Sequence, residues 1–324
     1  MANKLKKYRV DAGLTQAKLA EIAGVTQSTY QRWETGQIPI PDGKIERLAA
    51  VLDKTPDAVL GLRKPVEAAL YDAKAPDFAQ YYGEVALHFK DGGDPLLLSI
   101  SEKAYGQFHQ DLQGDDKFFI VQSLSNQTVI IRAASIADVY FSSEAYDYYG
   151  PKDQVYLRNS PLQLPDSGDW EIIEAIAHDV IGMYDFDKNH IQRVEEILSL
   201  TSDEKFAELV AEGLLQESEV EIERSRELET QEAIFDVATN ITYQLSNGQR
   251  RSFTAENEVI YDAFWELIEF PDARDIEMIR IAPEGYHRTI FVNPNALDYI
   301  SLPTHKWEGG SLEAAAVELE TAEA

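Results

Sequence analysis

Four side chains near the amino terminus have the types and spacing to read hydrogen-bonding edges. Gln27 and Gln31 stand four residues apart, as do Ser28 and Arg32, so on a helix both pairs share one face. Tyr30 and Trp33, three apart, share the other face and call for a core. A Gln amide can donate to and accept from an adenine edge, and an Arg guanidinium can hold a guanine edge or a phosphate. An ordinary surface helix also turns Gln, Ser and Arg outward, so the face needs support from its surroundings.

Other chemistries find less support in the residues. The chain has no cysteine, which removes disulfides, thiol nucleophiles and Cys-based metal sites. His88, His109, His178, His190, His287 and His305 are scattered, with no His-Glu-x-x-His pair. No Gly-x-Ser-x-Gly elbow, phosphate loop or dinucleotide fingerprint occurs. Asp185-Phe186-Asp187-Lys188-Asn189 with Glu196 at the twelfth position has the oxygen spacing of a calcium loop, but His190 stands where the sharp turn needs glycine. Asp187 or Asn189 capping a helix that starts at His190 accounts for the same residues. No catalytic residue, cofactor or metal ligand is therefore assigned, and the chain is expected not to be an enzyme. Aromatics at Tyr71, Phe78, Tyr81, Tyr82, Tyr140, Phe141, Tyr146, Tyr148 and Tyr149 suit core or interface packing better than a ligand pocket.

The elements that would position the reading face follow from local signals. Apolar residues recur at helical spacing from Leu5 through Leu14, Leu19, Ile22, Val25, Tyr30, Trp33, Ile45, Leu48, Val51 and Leu52. Thr15 can cap a helix that Gly24 ends, and Thr26 can cap a second that Gly36 ends. Two helices joined by so short a turn form the unit that sets its second helix in a major groove.

The stretch Leu14-Thr15-Gln16-Ala17-Lys18-Leu19-Ala20, then Gly24-Val25-Thr26-Gln27-Ser28-Thr29-Tyr30-Gln31-Arg32-Trp33-Glu34-Thr35-Gly36, resembles the lambda-repressor-like, Cro/CI (XRE-type) helix-turn-helix regulators. The resemblance continues through Lys44–Leu52 and Thr55–Leu60 and covers about residues 3–62. It implies an all-α five-helix DNA-binding domain in which Gln16 braces a phosphate and buttresses Gln27, while Gln27, Ser28, Gln31 and Arg32 face the bases. The full set expected to touch DNA is Gln16, Lys18, Thr26, Gln27, Ser28, Gln31, Arg32 and Gln37. Arg9 and Glu34 are implied to form a structural ion pair. Relatives often hold phosphates with Lys or Arg in the loop after the reading helix, whereas this loop reads Gln37-Ile38-Pro39-Ile40-Pro41-Asp42.

The charge is uneven. Residues 1–64 hold eleven Lys and Arg against seven acids, and the remaining residues hold 18 against 50, a body of net charge −32. Only the head is suited to a polyanion. The chain of 324 residues has room for several domains, and no segment approaches the twenty or so apolar residues of a membrane helix. A cytoplasmic, nucleoid-associated protein without a membrane partner is expected.

The body aligns with itself at an offset of 161 residues: Phe118–Val121, Thr128–Ile131 and Ile136–Val139 meet Ile279–Ala282, Thr289–Val292 and Leu297–Ile300 without a gap. Upstream, Val85–Gly92 matches Ile241–Gly248, each ending in a turn at Asp-Gly or Asn-Gly. The expected multidomain architecture is a head (1–64), an α+β repeat (65–150), a helical connecting segment (151–237), a second α+β repeat (238–310) and an acidic, disordered tail (311–324). Each repeat reads as ββαββ with a short final element. Helical patterns in the connecting segment fall at Trp170–Tyr184, His190–Leu200 and Asp203–Leu215, and the charged stretch Glu217–Glu232 reads as a solvated helix or a linker.

These readings lead to a dimeric repressor binding a palindromic operator in double-stranded DNA through the helix at 26–35. Its body would form the homodimer and sense a protein or small-molecule effector on residues 65–310. The alternative is an antitoxin or phage-type control protein whose acidic body binds a protein partner while the head autoregulates.

Overall fold

The computed structural model describes residues 4–70, 72–143, 162–180, 186–270, 278–285 and 289–322. Tyr71, Tyr146, Tyr148, Tyr149, Asp185 and His287, singled out above, lie outside the described residues.

The head contains α1 (Leu5–Asp11), α2 (Gln16–Ala23), α3 (Gln27–Glu34), α4 (Asp42–Val51) and α5 (Pro56–Leu60). Three of these helices start behind a threonine whose hydroxyl accepts a first-turn N–H: Thr15 from Lys18, Thr26 from Thr29 and Thr55 from Ala58. Each cap satisfies a donor that the helix itself leaves free. Gly24 closes α2 at φ +67°, a conformation glycine takes without strain. Helices this short are not stable alone in water. They are held by a shared core that includes Leu5, Leu19, Tyr30, Trp33, Leu48 and Val59.

The body is α+β. Its first unit runs β1 (Tyr81–Phe89), β2 (Leu96–Ser101), α6 (Glu102–Asp111), β3 (Phe118–Gln122), β4 (Gln127–Arg132) and β5 (Ile136–Ser143). Its second runs β6 (Asn240–Leu245), β7 (Arg250–Thr254), α11 (Asn257–Glu269), β8 (Ile279–Ile281), β9 (Ile290–Val292) and β10 (Leu297–Pro303). Between them lie α7 (Ser167–Ala177), α8 (Lys188–Leu198), α9 (Asp203–Ala211) and α10 (Val220–Thr239). In each unit the first strand pairs antiparallel with both the second and the last, and the middle two form a hairpin. The last strand is longer than the short closing element expected, with eight residues in β5 and seven in β10.

Strand β10 joins the units. It is buried along its whole length, and Ile300 stands opposite Ile130 of β4 on one side and Tyr243 of β6 on the other. The sheet β3-β4-β10-β6-β7 therefore crosses both units, while β2-β1-β5 forms a separate sheet. Each core borrows from the other: Phe118 and Ile130 pack with the second unit, Tyr299 with the first. A boundary between a connecting segment and a second repeat at 237/238 does not hold as a break, because α10 spans it and leads straight into β6.

The carboxyl-terminal expectation needs a larger correction. Residues 311–322 are not disordered but complete α12 (Thr304–Ala322). Alanine and glutamate favour helix, and the helix finds surfaces to pack on. Trp307 stacks on Tyr261 with ring centroids 5.1 Å apart, and Ala316 is buried. The start of α12 is fixed by the β3–β4 turn, where Asn126 Oδ1 accepts from the His305 N–H at 3.0 Å. Glu174 of α7 receives Lys306 Nζ at 2.6 Å.

Candidate nucleic-acid interface

Helix α3 is set in place by its inner face. Tyr30 and Trp33 are in the core, and Glu34 is buried at the helix end. Burial pushes the Tyr30 hydroxyl well above its ordinary value, and the neighbouring Glu34 carboxylate pushes it the same way. Arg9 Nε donates to Glu34 Oε1 at 2.7 Å and Gln16 Nε2 donates to Glu34 Oε2 at 2.6 Å, so α1, α2 and α3 meet on one carboxylate.

The outer face is accessible: Gln27, Ser28, Gln31 and Arg32 are all exposed. Arg32 Nε reaches back to the Ser28 carbonyl at 3.3 Å, a weak bond on an exposed surface that a better acceptor can replace. Thr26 is also exposed, but its hydroxyl serves as the cap and meets Ser28 Oγ at 3.1 Å. Lys18 is exposed with its Nζ on Glu21 Oε2 at 2.9 Å, a contact that lowers the Glu21 pKa. Gln37 is exposed in the loop after α3, whose start is tied by Ile38 N–H donating to the Arg32 carbonyl at 3.2 Å.

Gln16 is placed differently from the expectation. Its side chain turns to Glu34 rather than to Gln27, and its backbone N–H donates to Glu320 Oε1 of α12 at 2.7 Å. The same Glu320 oxygen lies 3.3 Å from Arg9 Nη1. Further carboxylates of the body meet the head: Glu171 of α7 holds Lys4 at 2.8 Å, and Glu313 of α12 pairs with Lys6. Behind the head, Arg63 Nη2 donates to Asp166 Oδ1 at 2.7 Å and Val66 N–H to Asp166 Oδ2 at 2.6 Å. Burial works against the Asp166 charge, but Arg63 and these N–H donors hold its carboxyl below the usual range.

Sequence reasoning missed these body residues, and it also missed Lys44, whose Nζ donates to the Ala23 carbonyl at 2.6 Å and so supports the end of α2. Lys44 was in view as part of α4, but nothing local aims its amine at another helix.

Elsewhere, Asp187 caps α8 by accepting from Asn189 N–H at 2.8 Å, and His190 is buried with Nδ1 2.7 Å from Asp169 Oδ1. Helix α8 thus starts two residues earlier than expected, and His190 belongs to packing. Among the described residues no group of three or more His, Cys, Asp and Glu is arranged to hold a metal ion, and no helix is long and apolar enough to cross a membrane.

Two short capped helices at a tight turn, the second core-bound on one face and exposed in Gln, Ser and Arg on the other, define the head as a DNA-binding domain of a transcriptional regulator. Residues 5–59 match the family model described as helix-turn-helix, and this head is a helix-turn-helix domain of the lambda-repressor-like, XRE type. No curated protein and no solved structure matches the chain.

Proposed function

We propose that the protein is a dimeric repressor that reads a palindromic operator with α3, and that the body forms the dimer and carries the signal of an effector. The observation that supports this reading most is the exposed set Gln27, Ser28, Gln31 and Arg32 on a helix whose opposite face is locked in the core. Gln27 and Gln31 pair with adenine edges, and Arg32 takes a guanine edge or a phosphate. The loop from Gln37 to Asp42 has no cation, so backbone anchoring by one head is weak and a second head supplies the missing affinity. Two copies would set their α3 helices about 34 Å apart, one turn of B-DNA.

In this reading the body acts by binding and not by catalysis, and the protein works in the cytoplasm beside the nucleoid. The shared element order and pairing of the two body units supports a duplication, and residues 65–310 are where an effector acts. A second reading, a control protein or antitoxin whose body binds a basic protein, draws on the net charge of −32 after residue 64.

Selection of duplexes from a random library by the full chain, followed by band shift, tests the first reading. One enriched, two-fold symmetric sequence is expected, bound far more weakly by Gln27→Ala with Arg32→Ala. No enrichment, or equal binding by that variant, would overturn the assignment. Sedimentation of the purified chain tests the dimer.

A further inference from the structure

We infer that α12 carries a stand-in for DNA: in the free protein the Glu320 carboxylate occupies the place at the start of α2 that a duplex phosphate takes. DNA binding then requires this helix to release the head. The inference rests on the DNA-binding reading and adds its regulation.

When a recognition helix enters the major groove, the preceding helix crosses the sugar–phosphate backbone. Free N–H groups and the positive end of the helix dipole make its first turn an anion site. In α2 that turn begins at Gln16, whose N–H points at Glu320 Oε1 from 2.7 Å, with Arg9 Nη1 converging on the same oxygen at 3.3 Å. The two donors come from different helices of the head, so the oxygen sits in a formed anion site and not on a stray surface charge. A phosphate oxygen is the same kind of acceptor, and one oxygen at a time fits. The Gln16 side chain cannot help it, being turned to Glu34.

Glu320 is held there by its whole helix. Glu313 lies two turns earlier on the same face and pairs with Lys6, with buried Ala316 between them. Glu171 of α7 takes Lys4. Three cations of the head, Lys4, Lys6 and Arg9, therefore face carboxylates of the body, which lowers the pull of the head on a polyanion beyond the one blocked contact. An acidic body thus does more than stay off the duplex. It competes with it.

The test compares full-length wild type, Glu320→Gln, Glu318→Gln and Arg32→Ala by fluorescence anisotropy. The probes are the duplex enriched by selection and a random-sequence duplex of about 30 base pairs. Glu318 is exposed on the same helix, so its variant makes the same change in net charge away from Gln16. Glu320→Gln is expected to bind both probes about tenfold more tightly than wild type, with Glu318→Gln within about twofold of it. Amide exchange at Gln16 in the free protein is expected to quicken only in Glu320→Gln. Equal binding by the two Gln variants overturns the inference, and the DNA-binding reading survives if Arg32→Ala still loses the enriched duplex. Failure of every protein to bind either probe overturns both.

Discussion

Arg9 and Glu34 meet inside the head, Arg9 Nε donating to Glu34 Oε1 at 2.7 Å with side chains only 1% and 2% exposed. This pair ties α1 to the end of α3, and Gln16 joins it from α2. Burying two charges is costly, so the pair is better understood as a positional device than as a source of stability.

Removing one partner strands the other in a dry site. Arg9→Met is expected to destabilise the protein by about 3 kcal/mol, and Glu34→Met by a similar amount. The double replacement should recover much of the loss, because two apolar side chains leave no unpaired charge. Urea unfolding of the three variants checks this, and additive losses would contradict it.

The loop after α3 offers a gain of function. Gln37 is exposed and uncharged, so Gln37→Lys adds a cation where relatives of the head hold phosphates. The slope of log affinity against log salt should steepen by about 0.9 for one new phosphate contact. The preference between enriched and random duplexes should hardly change. A salt titration by anisotropy reads both quantities.

Glu174 makes stability depend on acid. Burial alone would raise its carboxyl, but His305 Nε2 at 2.9 Å and Lys306 Nζ at 2.6 Å hold it at about 2, against an ordinary 4.5. The folded value lies below the unfolded one, so its contribution is complete above about pH 4.5 and is lost as pH falls towards 2. Glu174→Gln should cost about 3 kcal/mol at neutral pH, since it leaves Lys306 buried without its charge partner. Its unfolding midpoint should then fall less between pH 5 and 2 than that of the wild type, as measured by denaturation across that range.

At Gly310, α12 lies close against the start of α11. An added Cβ would lie 2.3 Å from the Asn257 carbonyl oxygen and 2.8 Å from Tyr261 Cβ, and the backbone atom cannot yield. Gly310→Ala should therefore lower stability by about 1–3 kcal/mol despite the better helix propensity of alanine. Gly106 in α6 has nothing within 4 Å of the same added atom, and Gly106→Ala should raise stability by about 0.5–1 kcal/mol. Opposite shifts in melting temperature would bear out the distinction.

Much of the head was legible because its signals are local. Thr15, Thr26 and Gly24 act on backbone groups within a few residues of themselves, and the spacing of Gln27, Ser28, Gln31, Arg32, Tyr30 and Trp33 sets their faces without reference to the rest of the chain. The strands and helices of the body were readable for the same reason, through alternation, helical periodicity and turns. The largest departure from the sequence pattern lies at the carboxyl end. Its Ala and Glu composition shows no strong apolar stripe, and surfaces supplied from elsewhere in the fold, those of α1 and α11 above all, make a packed helix of it.

The sequence by itself determined the helix-turn-helix, the exposed polar face of its second helix and the split between a basic head and an acidic body, since caps, periodicity and charge are properties of near neighbours. Only the tertiary structure decided that β10 would join the β3–β4 hairpin of the first unit to β6 and β7 of the second in one sheet, and that Glu320 would reach the N–H of Gln16 across 304 residues of chain. Such contacts join polar or alternating segments that each look complete alone. Their partners are set by how the elements pack, and local pattern does not record that.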